Sequence, residues 1–123
     1  MILWHGAGDE LIFAQGSIDY YKRVVEAVGD LEATKRFARL FILPGVDHVG
    51  GLAGPGLVDS GLGAAIEWVE HNKAPDELQG VKTDSWSGDT VMTRPICAYP
   101  LVARYNGTGS TNDASSFTCS EHF

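Results

Sequence analysis

Asp9 and His48 are the residues of this sequence best placed to do chemistry together. Asp9 comes after the apolar run Met1-Ile2-Leu3-Trp4 and the glycines Gly6 and Gly8; His48 comes after Leu40-Phe41-Ile42-Leu43 and Pro44-Gly45. In open α/β sheets, reactive groups sit on loops at the carboxyl ends of the strands. An acid and then a histidine, each behind a strand, fit the later part of a Ser, Asp, His order, in which the carboxylate orients an imidazole that acts as general base. The nucleophile is missing: Gly-x-Ser-x-Gly occurs nowhere in the 123 residues. Ser17 and Ser60 read as helix caps, and Ser85 and Ser87 as turn residues.

The other polar candidates read as structural. His5 is expected to pack beside the first strand. His5, Asp9, Asp47 and His48 together lack the HxxxH or HxxE spacing of a metal site, so no cofactor is expected. His71 suits a helix C-terminus, and His122 falls in a tail. Trp4, Trp68 and Trp86 read as core aromatics, with Trp68 packing from its helix. Cys97 and Cys119 lie in a glycine- and serine-rich region, where one disulfide is the natural reading and two free thiols are the alternative. Asn106-Gly107-Thr108 is both a sequon and a turn dipeptide.

These residues need elements to hold them. Ser17 stands before Ile18, Tyr21, Val24, Val25 and Val28, which share one helical face, and Gly29 follows as a stop. Leu31 to Ala38 adds a shorter helical stretch, and Leu40–Leu43 a second strand. Val46 to Gly56 is a glycine-rich loop around His48. Asp59 or Ser60 caps a second covering helix, with Leu62, Ala65, Ile66 and Val69 as its buried stripe. Beyond Pro75 the pattern supports a strand from Val81 to Asp84, a turn at Ser87-Gly88-Asp89, a strand from Thr90 to Thr93, and then an irregular tail.

The alternation predicts an α/β class fold with a partial sheet of two or three strands and covering helices: a core over residues 1–74 and a tail over 75–123. The first strand then has an open apolar edge, which calls for a neighbour: the rest of a longer protein, or a second copy of this chain. A net charge of -7 without clustered Lys or Arg disfavours nucleic acid and anionic membrane as partners. No apolar run approaches the roughly 20 residues that cross a bilayer, and the first ten residues do not read as a signal peptide.

Trp4-His5-Gly6-Ala7-Gly8-Asp9-Glu10-Leu11-Ile12 and Gln15-Gly16-Ser17-Ile18-Asp19-Tyr20-Tyr21 resemble the C-terminal part of the tannase and feruloyl esterase family. Phe41 to Gly51 is similar to that family's histidine loop, and Ala64 to Val69 to the helix after it. Thr93 to Pro100, Val102 to Tyr105 and Phe117-Thr118-Cys119 resemble its last segment. The resemblance implies an α/β-hydrolase segment in which Asp9 is the triad acid and His48 the base, acting on esters of phenolic acids such as ferulic or gallic acid. It also suggests a secreted or periplasmic setting. Two departures stand out: the family's serine elbow and lid lie outside this sequence, and Val49 stands where the family has a cysteine bridged to one beside the nucleophile. The sequence therefore reads as an ester hydrolase segment that supplies Asp and His without the Ser, and is weakly active or inactive by itself. The alternative is a non-catalytic, self-associating assembly module derived from that fold.

Overall fold

The computed structural model describes residues 1–48, 54–57 and 60–121. Val49, Asp59 and His122, on which parts of the sequence reading rest, lie outside the described residues. Strands β1 (Ile2–Gly6) and β2 (Arg39–Leu43) pair in parallel, from Ile2 opposite Arg39 to Gly6 opposite Leu43. The connection between them carries helices α1 (Ala14–Val28) and α2 (Leu31–Lys35), as a parallel crossover requires.

Strand β2 is apolar from Leu40 to Leu43 because both of its faces are covered. Phe41 and Leu43 join Val46, Leu78, Ile96 and Ala98 in one cluster, while Leu40 joins Tyr21 and Ala38 in another. Ile18, Tyr21 and Val25 of α1 lie one helical turn apart on the face toward Leu40. The Tyr21 hydroxyl donates to the Ala38 carbonyl at 3.2 Å, which satisfies its polar end within the core. The helix ends as expected, with Gly29 left-handed at φ 88° and its N–H bonded to Val25 O. Its start differs from the expectation: α1 begins at Ala14 and places Ser17 inside the first turns, so Ser17 is no cap. Asp30 caps α2 by accepting from the Ala33 N–H at 2.9 Å.

Helix α3 (Ser60–His71) corrects one further expectation: Leu62, Ile66 and Val69, from the expected buried stripe, are 72%, 45% and 85% exposed. The helix is apolar on two opposite sides, and the inner one belongs to Ala64, which packs on the core, and Trp68. The Arg39 guanidinium lies 5.5 Å over the Trp68 ring, donates from Nε to Pro75 O and bonds Asp76 from Nη2, both at 3.1 Å. This buried cation fastens the end of α3 and the chain after it to the start of β2.

From residue 77 the tail holds two antiparallel hairpins separated by irregular connections: β3 (Glu77–Thr83) with β4 (Thr90–Cys97), and β5 (Leu101–Tyr105) with β6 (Phe117–Glu121). The first hairpin turns where Asp84 Oδ1 accepts the N–H groups of Trp86 and Ser87, which leaves Trp86 exposed at the tip rather than in the core. Trp4 is exposed too, on the β1 strand, whose sheet contains only β1 and β2 among the described residues. The outer edge of β2 is covered by the tail, through a bridge between Phe41 and Ala98 and a bond from Tyr99 N–H to Leu40 O.

Cys97 of β4 and Cys119 of β6 form a disulfide that joins the two hairpins across 22 positions. Constraining a loop of that length in the unfolded chain is worth roughly 3 kcal/mol. Replacing both cysteines by serine is therefore expected to lower the urea unfolding midpoint by a matching amount. An unchanged midpoint would show that the hairpins hold together without the bridge.

Candidate active site

Parallel strands leave a sheet on the same side, so the chains that emerge from β1 and β2 run next to each other. Ala7 N–H donates to Leu43 O at 2.8 Å and Gly8 N–H to Val46 O at 2.9 Å, which laces the two loops together by backbone alone. Glycine is required at the crossing, because a Cβ on Gly6 would lie well within van der Waals contact distance of the Val46 carbonyl oxygen; inside the loop after β2, one on Gly54 would collide in the same way with the Pro44 carbonyl.

This lacing brings Asp9 and His48 into contact across 39 positions of sequence. His48 Nδ1 donates to Asp9 Oδ2 at 2.9 Å. Because the carboxylate can only accept, the proton on Nδ1 leaves the Nε2 lone pair free to take another. His48 is 39% exposed at its side chain and Asp9 6%, so the imidazole faces solvent over a shielded acid.

Four donors surround the Asp9 carboxylate. Oδ1 accepts the N–H groups of Leu11 and Ile12 at 2.9 and 2.8 Å, and Oδ2 accepts from His48 and, at 3.2 Å, from His5 Nε2. Burial by itself raises the carboxyl pKa, but the Ile12 N–H, the His48 hydrogen bond, the Leu11 N–H and the His48 charge together outweigh it and hold Asp9 far below the ordinary carboxylate range. The group is thus a fixed anion next to the imidazole.

His5 does not simply pack beside β1 as its position suggested. Its Nε2 also meets Ile12 O at 2.8 Å, and its Nδ1 meets Ser17 Oγ at 2.7 Å. The serine that resembles a helix cap is instead a partner for this ring, and nothing in the local pattern announces a bond between positions 12 apart. Among the described residues, no group of three or more His, Cys, Asp or Glu side chains is arranged to hold a metal ion. An apolar cleft of about 390 Å³ lies between Ile18 of α1 and the Tyr99–Ala103 segment; neither Asp9 nor His48 lines it.

The family model described as tannase and feruloyl esterase matches residues 1–120. The chain belongs to that family. It is 40% identical over its whole length to a probable feruloyl esterase of Arthroderma benhamiae, covering 23% of that protein. It is 38% identical over 97% of its length to the mono(2-hydroxyethyl) terephthalate hydrolase of Piscinibacter sakaiensis, covering 19% of it. Among solved structures, feruloyl esterase B from Aspergillus oryzae superimposes with a TM-score of 0.89 at 28% identity, over 97% of this chain and 26% of that one. The chain thus spans about a fifth to a quarter of the length of these relatives, and its two-stranded parallel sheet with covering helices is part of their esterase fold.

Two outcomes follow from the geometry. Since Asp9 has its pKa lowered by folding, its ionised form stabilises the folded chain fully above the unfolded value of about 4, and this contribution fades as pH falls below it. The stability gap between the native chain and Asp9→Asn, measured by urea denaturation, should therefore be widest above about pH 5 and should narrow toward pH 3. A gap that widens toward acid would contradict the assignment. Separately, Gly6→Ala should destabilise the chain by several kcal/mol, about the range for a forced backbone clash, whereas Gly16→Ala, where a Cβ meets nothing within 4 Å, should not.

Proposed function

We propose that this segment supplies the acid and the base of a serine-type carboxylic ester hydrolase acting on esters of aromatic, and chiefly phenolic, acids. The observation that carries the reading is the 2.9 Å hydrogen bond from His48 Nδ1 to the shielded Asp9 carboxylate, on loops that follow neighbouring parallel strands. Support for the ester class comes from the family and from relatives named as feruloyl esterases and as a terephthalate monoester hydrolase.

In this reading the nucleophilic serine comes from outside the 123 residues, as does the pocket that selects the acyl group. His48 Nε2 takes the serine hydroxyl proton as the oxygen attacks the ester carbonyl, and then gives it to the departing alcohol. Water repeats the cycle on the acyl-enzyme, which releases the acid and regenerates the serine. Asp9 keeps the proton of His48 on Nδ1 and offsets the charge of the imidazolium that forms. It remains ionised throughout, because two backbone N–H groups hold its other oxygen.

The test is a chimera in which this chain replaces the matching segment of the Arthroderma benhamiae relative. The chimera is expected to hydrolyse a feruloyl ester, and His48→Ala or Asp9→Asn to lower kcat by about 10⁴-fold or more. The 123-residue chain by itself should turn the ester over poorly or not at all. A chimera whose turnover survives His48→Ala would overturn the proposal.

A further inference from the structure

Two imidazoles, not one, converge on Asp9 Oδ2, and the second is held from behind. His5 stands on β1 four residues before Asp9, with its side chain 15% exposed. The Ile12 carbonyl can only accept, so the 2.8 Å contact places a proton on His5 Nε2; that proton is shared with Asp9 Oδ2 at 3.2 Å. In the neutral ring His5 Nδ1 is then an acceptor, to which the Ser17 hydroxyl of α1 donates at 2.7 Å. Both ring nitrogens are therefore bonded, and the ring cannot turn without breaking contacts at each end.

The same short loop is gripped from both sides. Ile12 donates its N–H to Asp9 Oδ1 and accepts from His5 at its carbonyl, so the carboxylate, the loop and the His5 ring form one closed set of hydrogen bonds. The chain from Ser17 through His5 to Asp9 and His48 links helix α1, strand β1 and the loop after β2.

We infer that His5, braced by Ser17, is a positioning residue that fixes the Asp9 carboxylate so that its Oδ2 points at His48 Nδ1. The inference rests on the reading of Asp9 and His48 as an acid and base pair. His5 takes no proton from substrate and touches no reacting atom; its effect passes through Asp9. Without it, Asp9 Oδ2 keeps only the His48 bond, and the Leu11–Ile12 loop loses the contact that holds its carbonyl.

The test reads the pair directly, without an ester. In the ¹⁵N-labelled chain, exchange of the His48 Nδ1 proton with water is followed by NMR, with the backbone amide spectrum as the check on folding. His5→Phe keeps a ring of similar breadth but no donor, and should speed that exchange by about tenfold or more, the size expected on loosening one hydrogen bond to a charged group. His5→Gln, which can still donate to Ile12 O and Asp9 Oδ2, should stay near the native rate. Ser17→Ala, which leaves His5 in place but unbraced, should fall between them, and it carries the test if His5→Phe does not fold. An unchanged rate in folded His5→Phe or in Ser17→Ala, or an equal acceleration in His5→Gln, would overturn the positioning role. Failure of the underlying reading looks different: the native chain would then show no protected His48 proton, and both ideas would fall.

Discussion

Parallel pairing of β1 with β2 sets where everything reactive can lie. With Gly6 opposite Leu43, both strands end at the same level and on the same side of the sheet. The two loops beyond them are then close enough to exchange backbone hydrogen bonds, and Asp9 and His48 meet although 38 residues separate them in the chain. A slip of one residue in that register would send β2's apolar side chains to the wrong clusters and would move the histidine loop off the aspartate. The apolar clusters on the two faces of β2 are thus part of the site, since they fix the register from which its geometry follows.

Around Asp9 the structure solves the problem of keeping a carboxylate charged while shielding it from water. Desolvation alone favours the neutral acid, and the opposing force comes from the Ile12 and Leu11 N–H groups, which cannot titrate, and from the hydrogen bond and charge of His48. The anion is in this way maintained by the local fold of residues 9–12 as much as by the imidazoles.

Much of this arrangement was legible before any coordinates. Strand, glycine turn and acid, then strand, Pro-Gly turn and histidine, spell out the loops of a parallel sheet, and the paired cysteines read as the bridge they form. The misreadings have local causes. Ser17 precedes an amphipathic run and looks like a cap, but the helix begins a turn earlier and its hydroxyl is used by a ring on another element. Helix α3 carries apolar residues on two sides, so periodicity names two faces and cannot choose between them. The second hairpin of the tail escapes because Leu101-Val102-Ala103-Arg104-Tyr105 lacks clean alternation and its partner strand begins 12 residues after the first ends.

The backbone lacing between the two loops also bears on which substitutions the site can absorb. Residues 6 and 8 meet the neighbouring loop with their main chains, and residue 54 packs back on Pro44 and Gly45 of its own loop; at each, a single added carbon collides or crowds. The hydrogen bonds that cross from Ala7 to Leu43 and from Gly8 to Val46 use no side-chain atoms at all. The lacing itself therefore asks for glycine at the crossing, while the side chains of Leu43 and Val46 beside it are held by the core cluster they join. The spacing of the pair thus rests on main-chain contact at Gly6 and Gly8, which act by the side chain they lack.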